Sequence, residues 1–553
     1  MSRSERWNTP KEIKDYLEDA AGQCAGPILY AEGGRKYCDT SEAHIGVIGR
    51  TGKGKSQCVS LPFMREILMK GESLIMLDPK GEGYQKNACR IPENYQVYCV
   101  DFRNPRRSMT KWNPLSTPYR LYQSQDPDEQ DIASSMISEL WDGVYPYDGH
   151  SDRFWTDASA NLGKGLTYGL FEKADEDQIN LENVANMLEQ AETHMGTTTL
   201  ARVFYDMLPP CSLAKRNLAS YATGPNETRA SIHSVASSGL EVFSRSKGLM
   251  RMLSEDTLHI MDLDVDRPFV LIIIIPDETD VYDRLAGLLV SQVSRHLIRV
   301  AQERGGRLPI RVNLILEELG SVGQSIPNLP NLMTAGRSRN IRVMLVLQSY
   351  AQLTDVYGKS KAATILDSIG ITIGFSTNSW DTLVEWSQRC GERQEGYDKH
   401  ALITPAQLAA MPTGTALIMV DSRYKYIIPL PFYNELYDES GWKAPSLIPA
   451  FSYAVGRNFQ FRQLVEQMIR SRVIRQEIIT QAEGKYEVVM SSRGDNIIEP
   501  IKMIQKLTGE TVTEIYRKMR ILPCRFTLSE KKKAKKLAEC IKKFGGKAKV
   551  EKN

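Results

Sequence analysis

The sequence predicts an α/β fold in which helices cover both faces of a parallel sheet. Apolar runs of strand length recur without polar alternation, and helical stretches separate them. A glycine-rich segment, GRTGKGKS at 49–56, stands where the first run meets its helix. A strand buried on both faces has no alternation to show, and parallel neighbours need long crossovers between them.

The elements follow in order. HIGVI at 44–48 predicts the first strand and 56–69 the helix after it. SLIMLD (73–78), YQVYCVDF (95–102), FVLIIIIP (269–276), RVNLILEE (311–318), IRVMLVLQ (341–348) and GITIGFS (370–376) predict further strands, with a helix at 282–304. Residues 103–267 instead carry few strand signals and many helical ones, such as DRFWTDASANLGKGLTYGLFEK and LENVANMLEQAE. A structureless loop of that length is improbable, so its middle, 122–240, reads as an inserted all-helical domain. The α/β domain then takes 27–121 and 241–450, after a soluble segment at 1–26. The spacing of Phe461, Leu464, Val465, Met468, Val473 and Ile474 predicts a helical linker within 451–483. Residues 484–553 predict a small α+β unit with a strand at 486–491, helices at 497–508, 512–519 and 529–544, and a closing strand at 547–551. Ser529 is its expected N-cap for the last helix, and Gly545 with Gly546 ends that helix.

Apolar residues make up 42% of the 553, charged residues 25%, and the net charge of +3 gives no global sign of a polyanion partner. The charge is uneven, however. Residues 485–553 hold 18 Lys and Arg against 8 Asp and Glu, a balance of +10 that leaves −7 for the rest. Nine scattered cysteines form no CxxC pair and seven histidines show no metal spacing, which argues for a reducing compartment and against a zinc site. The amino terminus carries charges where a signal peptide needs an apolar core, and the longest apolar run, FVLIIIIP, is too short to span a bilayer. A cytoplasmic chain with no membrane span of its own is expected.

GRTGKGKS satisfies G-x-x-x-x-G-K-[ST] between a strand and a helix, the context that motif needs. Gly49, Arg50, Thr51, Gly52, Lys53, Gly54, Lys55, Ser56 and Gln57 are therefore expected to cradle a nucleotide. The glycines turn backbone N–H groups inward, Lys55 reaches the β and γ phosphates, and Ser56 binds Mg²⁺. Hydrolysis of ATP also needs an acid at the end of a neighbouring strand. VNLILEELG supplies Glu317 and Glu318 directly after an apolar strand, to hold the metal's water shell and to activate the attacking water. Gln348 ends the next strand and is placed to sense the γ phosphate. Singly, each of these is an ordinary strand terminus, and their weight comes from standing together.

Taken in order, GRTGKGKS, LDPKGEGY (77–84), KWNPL (111–115), RFWTDASANL (153–162), LILEELG, TAGRSRNIRVMLVLQSYAQLTDVYG (334–358) and SQRCGERQ resemble the coupling proteins of type IV secretion and conjugation, the TraG and TraD class, over about 27–433. The resemblance implies a RecA-like ATPase that works as a homohexamer, with an all-helical domain inserted in its nucleotide-binding domain. Such proteins pass relaxase-bound single-stranded DNA, or secreted proteins, to a secretion channel. By this similarity Glu318 is the catalytic acid, Arg337 reaches the nucleotide of a neighbouring subunit with Arg339 as its local competitor, and Lys80 and Glu82 lie near the site. Two departures stand out. Relatives usually carry Asp where this chain has Glu317, one methylene longer, and most begin with two membrane-spanning helices. A separate membrane anchor or channel protein is thus expected to recruit this chain to the inner face of the cytoplasmic membrane.

The tail has its own resemblance. YEVVM, IKMIQKLTG and LSEKKKAKKLAECIKKFGGKAKVE are similar to the C-terminal domain of the bacterial ribosomal stalk protein, an exposed recruiting module. This implies a docking domain for substrate, partner or DNA, against the plainer reading of a solvated helix with Leu537, Ala538, Ile541 and Phe544 inward. Two further functions compete with the coupling motor: a double-strand DNA translocase of the FtsK or HerA type, and a cargo adaptor that binds nucleotide without hydrolysing it.

Overall fold

A computed structural model of the chain describes residues 5–147, 152–244, 246–276, 280–318, 326–395, 398–421, 423–438, 457–482, 486–528 and 530–552. They form two units, Met1–Glu192 with Leu208–Phe459, and Thr193–Met207 with Gln460–Asn553.

The first unit is built on a nine-stranded sheet. In chain order its strands are β1 (His44–Ile48), β2 (Ser73–Leu77), β3 (Gln96–Asp101), β4 (Phe269–Ile274), β5 (Val312–Leu316), β6 (Ile341–Leu347), β7 (Ile369–Gly374), β8 (Thr415–Val420) and β9 (Tyr424–Pro429). Across the sheet they run β9-β8-β7-β1-β6-β5-β2-β4-β3. All pairs from β7 to β3 are parallel, and β8 and β9 add an antiparallel hairpin at one edge. Every residue of β1, β2, β4, β5 and β6 is buried, as strands covered on both faces must be. The edge strand β9 is only partly buried. A charge sits inside this core. The guanidinium of Arg342, on β6, donates to Asn313 Oδ1 (2.9 Å), Ser41 O (3.0 Å) and Ala25 O (2.8 Å), so its burial costs no hydrogen bond.

Between β3 and β4 the chain is helical, with Ser116–Tyr122, Pro127–Val144, Arg153–Lys173, Leu181–Gln190, Leu213–Thr223 and Asn226–Ser244 as its main elements. The third of these packs on the second through Trp141, whose Nε1 donates to Thr167 Oγ1 at 2.9 Å. After β4 comes the long helix Asp280–Glu303.

The second unit contains the helices Leu200–Met207 and Phe461–Ala482, joined by an edge-on contact of Phe204 with Phe461 at 5.1 Å. It also contains an antiparallel sheet of β10 (Tyr486–Ser492), β11 (Cys524–Leu528) and β12 (Lys547–Lys552), with β10 in the middle. The helices Ile498–Thr508, Val512–Met519 and Lys531–Lys543 cover it, and Val488, Ile504, Ile515, Phe526, Leu537 and Ile541 fill the core. The strand β11 was not among those predicted. Gly545, at φ +85°, ends the last helix in the left-handed conformation expected of it, whereas Ser529 lies outside the described residues. Among the described residues no helix is long and apolar enough to cross a membrane.

Candidate nucleotide-binding site

Register brings five strand ends to one edge of the large sheet. Leu347 and Gly374 both pair with Ile48, and Leu316 pairs with Leu77. Gly49, Asp78, Glu317, Gln348 and Phe375 therefore leave the sheet along that edge. Gly49 has no room for a side chain, since a Cβ there would lie 2.6 Å from Phe375 Cβ. Gly52 and Gly54 adopt φ of +77° and +104°, open to glycine at little cost. In this loop the N–H groups of Thr51 to Gly54 donate to no backbone carbonyl among the described residues, which leaves them for an anion. The loop is braced from outside: Arg50 N–H donates to Ser376 O (3.0 Å), Gly414 N–H to Lys53 O (3.1 Å), and Lys53 Nζ to Met411 O (3.3 Å).

A wide turn, Lys55–Ser60, leads into the helix Leu61–Met69. Lys55 reaches back across the loop, its Nζ 2.5 Å from Gly49 O. Burial lowers its pKa, while the charges of Glu318 and Glu317 act to raise it. Ser56 Oγ donates to Glu317 Oε2 at 3.3 Å. Glu317 is 7% exposed, and burial pushes its carboxyl up to about 7, with Asp78 adding to the rise. Its Oε1 is buried and has no hydrogen-bond partner. An orphaned carboxylate oxygen beside a serine hydroxyl fits a magnesium ion held largely by phosphate and water oxygens. Among the described residues no group of three or more His, Cys, Asp or Glu side chains could hold a metal by itself.

Glu318 follows with φ +51°, an uncommon backbone conformation for a residue with a side chain, and its Oε1 lies 3.3 Å from Lys80 Nζ. The turn that carries Lys80 is held by Asp78, whose carboxylate accepts the Tyr84 N–H at 3.0 Å. Burial pushes Asp78 up to about 6. Glu82 accepts from Gln57 Nε2 at 3.4 Å, so both residues of the DPKGE segment named above lie at the loop. Gln348 is fixed through its backbone: its N–H donates to Gln352 Oε1 and its carbonyl accepts from Thr377 Oγ1, each at 2.8 Å. Because β6 lies between β1 and β5, Gln348 emerges between the loop and the acids.

Arg337 is elsewhere. It is exposed in the turn Arg337–Arg339 that precedes β6, at the opposite edge of the sheet, where its charge adds to the hydrogen bond from Arg307 that lowers the pKa of Glu42 and to the burial that lowers that of His44. The length of β1, about 17 Å for its five residues, separates it from its own loop. The structure thus gathers Lys55, Ser56, Glu317, Glu318 and Gln348, and leaves Arg337 and Arg339 apart. Asp78 was not predicted as a site residue, although an acid ending the apolar run SLIML was a usable signal.

A glycine-rich loop on one parallel strand, an acid pair two strands away and a glutamine on the strand between them define a RecA-like P-loop nucleotide-binding domain. The sequence profile of the type IV secretory system conjugative DNA transfer family matches residues 6–395, and the chain belongs to that family. Solved structures agree in fold. The unbound bacterial conjugative coupling protein TrwBdeltaN70 is 19% identical over 78% of this chain and 92% of that one, with a TM-score of 0.57. Plasmid coupling protein TrwB with the ATP analogue ADPNP (19% identity, 78% and 94% covered, TM-score 0.56) and with ADP and Mg²⁺ (18%, 78% and 94%, 0.55) are similar to the same extent. No curated protein sequence matches the chain.

Proposed function

We propose that this chain is a coupling protein that hydrolyses ATP in a homohexameric ring and uses the cycle to move relaxase-bound single-stranded DNA, secreted proteins or both into a type IV channel. Residues 49–57 hold the triphosphate, and Lys55 leaves Gly49 O to meet the β and γ phosphates. Ser56 and Glu317 hold the Mg²⁺ that screens the phosphate charge. Glu318 takes a proton from the attacking water, and Gln348 reports the loss of the γ phosphate. Arg337 completes the site of the next subunit, a reading supported by its exposure at the far edge of its own sheet. The observation that carries this reading is the hydrogen bond between Ser56 and Glu317 at the mouth of the loop, with Glu318 beside it. TrwB has been solved with ADPNP and with ADP and Mg²⁺, which supports ATP and magnesium as the ligands.

The domain plan goes with this: 27–121 and 241–450 as the motor, 122–240 as its helical insert, and 451–483 as the connection to a docking domain at 484–553. Four of the nine exposed large apolar side chains among the described residues, Ile498, Val512, Tyr516 and Ile521, belong to that last segment, which supports recruitment as its role. A membrane or channel partner brings the ring to the cytoplasmic face of the membrane. Steady-state ATP turnover of purified protein, with and without single-stranded DNA, tests the proposal. Glu318→Gln should lower kcat by about 100-fold or more with ATP still bound, and Lys55→Ala should abolish productive binding. Turnover unchanged in both variants refutes the assignment.

A further inference from the structure

A cavity of about 320 Å³ lies in the first unit, away from the phosphate loop, between the helices Ser116–Tyr122, Pro127–Val144 and Asp280–Glu303 and the segment that ends in the Arg337–Arg339 turn. Leu121, Ile132, Met136, Met261 and Ile298 give it an apolar wall. Three groups that line the cavity are incompletely satisfied: His296 is 5% exposed and its Nε2 has no hydrogen-bond partner, and Arg295 and Arg339 each have a buried Nε with none. Burial also lowers the pKa of His296 to about 4, so its ring is neutral near pH 7.

The charges around the cavity do not cancel equally. Arg295 is paired with Glu139, and Arg299 with Glu129 at 2.6 Å. Arg339 donates through Nη1 to Ala335 O (2.8 Å) and Ser338 Oγ (3.4 Å), both neutral, and no carboxylate lies within ion-pair distance of it among the described residues. An apolar chamber of small-ligand size with one uncompensated guanidinium and one idle imidazole nitrogen selects for a molecule with an apolar body and a single anionic head.

We propose that this cavity binds a single-chain apolar carboxylate, with the tail among Leu121, Ile132 and Met136 and the head accepting from Arg339 and His296. The site stands independently of ATP turnover. It nevertheless bears on the motor, because Arg339 and Arg337 share one short turn, and a ligand that immobilises the first fixes the second.

Calorimetric titration of the full chain with decanoate, and with decanol as its uncharged counterpart, tests the site. Wild type should bind decanoate saturably and decanol at least tenfold more weakly. Arg339→Gln, at a partly exposed position where the fold is not at stake, should weaken decanoate about tenfold and leave decanol unchanged. Met136→Trp, which fills the chamber, should abolish binding of both while nucleotide affinity stays at the wild-type value. Absence of saturable binding to wild type, or equal decanoate affinity in wild type and Arg339→Gln, overturns the proposal. Both outcomes are read without hydrolysis, so they are separate from any failure of the ATPase assignment.

Discussion

His44 shows how a single side chain is tied to its surroundings. Its Nδ1 accepts the Val343 N–H at 3.0 Å, so Nε2 is the donor to Met333 O at 2.9 Å, and the ring is held neutral. Burial lowers its pKa to about 4, aided by the nearby charges of Arg337 and Arg342. The unfolded chain binds this proton below about pH 6.5, whereas the folded chain refuses it until about pH 4. Its contribution is therefore present above pH 6.5 and lost as pH falls, by up to about 3 kcal/mol. Urea midpoints measured at pH 7 and 4.5 should show that loss. His44→Asn, which keeps a donor and an acceptor but cannot titrate, should flatten it. Gly49 makes a second case. Gly49→Ala drives a methyl group against Phe375, just past β7, and a loss of about 1–3 kcal/mol is expected in the same measurement. At this scale the sequence was readable wherever chemistry and motif coincide. Glu317, Glu318 and Gln348 follow strand ends and were expected from the apolar runs before them, whereas Lys55 and Ser56 were expected from the glycine-rich motif. Asp78 ends the apolar run SLIML and so carried the same signal; what the order of residues along the chain does not reveal is that β2 lies next to β5, which brings it beside Glu317.

The elements were legible in proportion to their burial. Six unbroken apolar runs after the first, with the 282–304 helix, all appear close to where they were expected, because a strand inside a covered sheet has no choice of residue type. The hairpin of β8 and β9, in TALIMVDSRYKYIIP, was missed, as was β11. The edge strands β9 and β11 face water or loops on one side, carry mixed side chains and resemble ordinary connections, whereas β8 is as apolar and buried as the strands that were predicted and carried the same signal. In the second unit the helix Val512–Met519 begins with a reciprocal cap, in which Thr511 Oγ1 accepts the Glu514 N–H and Glu514 accepts the Thr511 N–H at 2.9 Å. Thr511→Ala should lower the stability of that unit by about 1 kcal/mol, seen as an earlier loss of its helical signal in urea.

At the scale of the whole molecule, if Arg337 completes a neighbour's site as proposed, activity is a property of neighbours. Arg337→Ala chains keep a complete loop and lack the arginine, and Lys55→Ala chains have the reverse defect. Each alone should be inactive. Equal mixtures should recover roughly a quarter of wild-type turnover, the share of junctions at which an intact loop meets an intact arginine in a head-to-tail ring. Recovery that stays at zero while rings form would place the arginine's partner elsewhere. The basic balance of residues 485–553 belongs to the same scale: if that segment contacts DNA, affinity should fall steeply between low and physiological salt, and removal of 485–553 should flatten the dependence.

The contact of Lys55 with Gly49 is also a clasp within the loop. A partly buried ammonium group rests on the loop's own backbone oxygen, so the first and seventh residues of GRTGKGKS are tied to each other by a charge-assisted hydrogen bond. Replacing Lys55 should therefore slacken the turn as well as remove a cation.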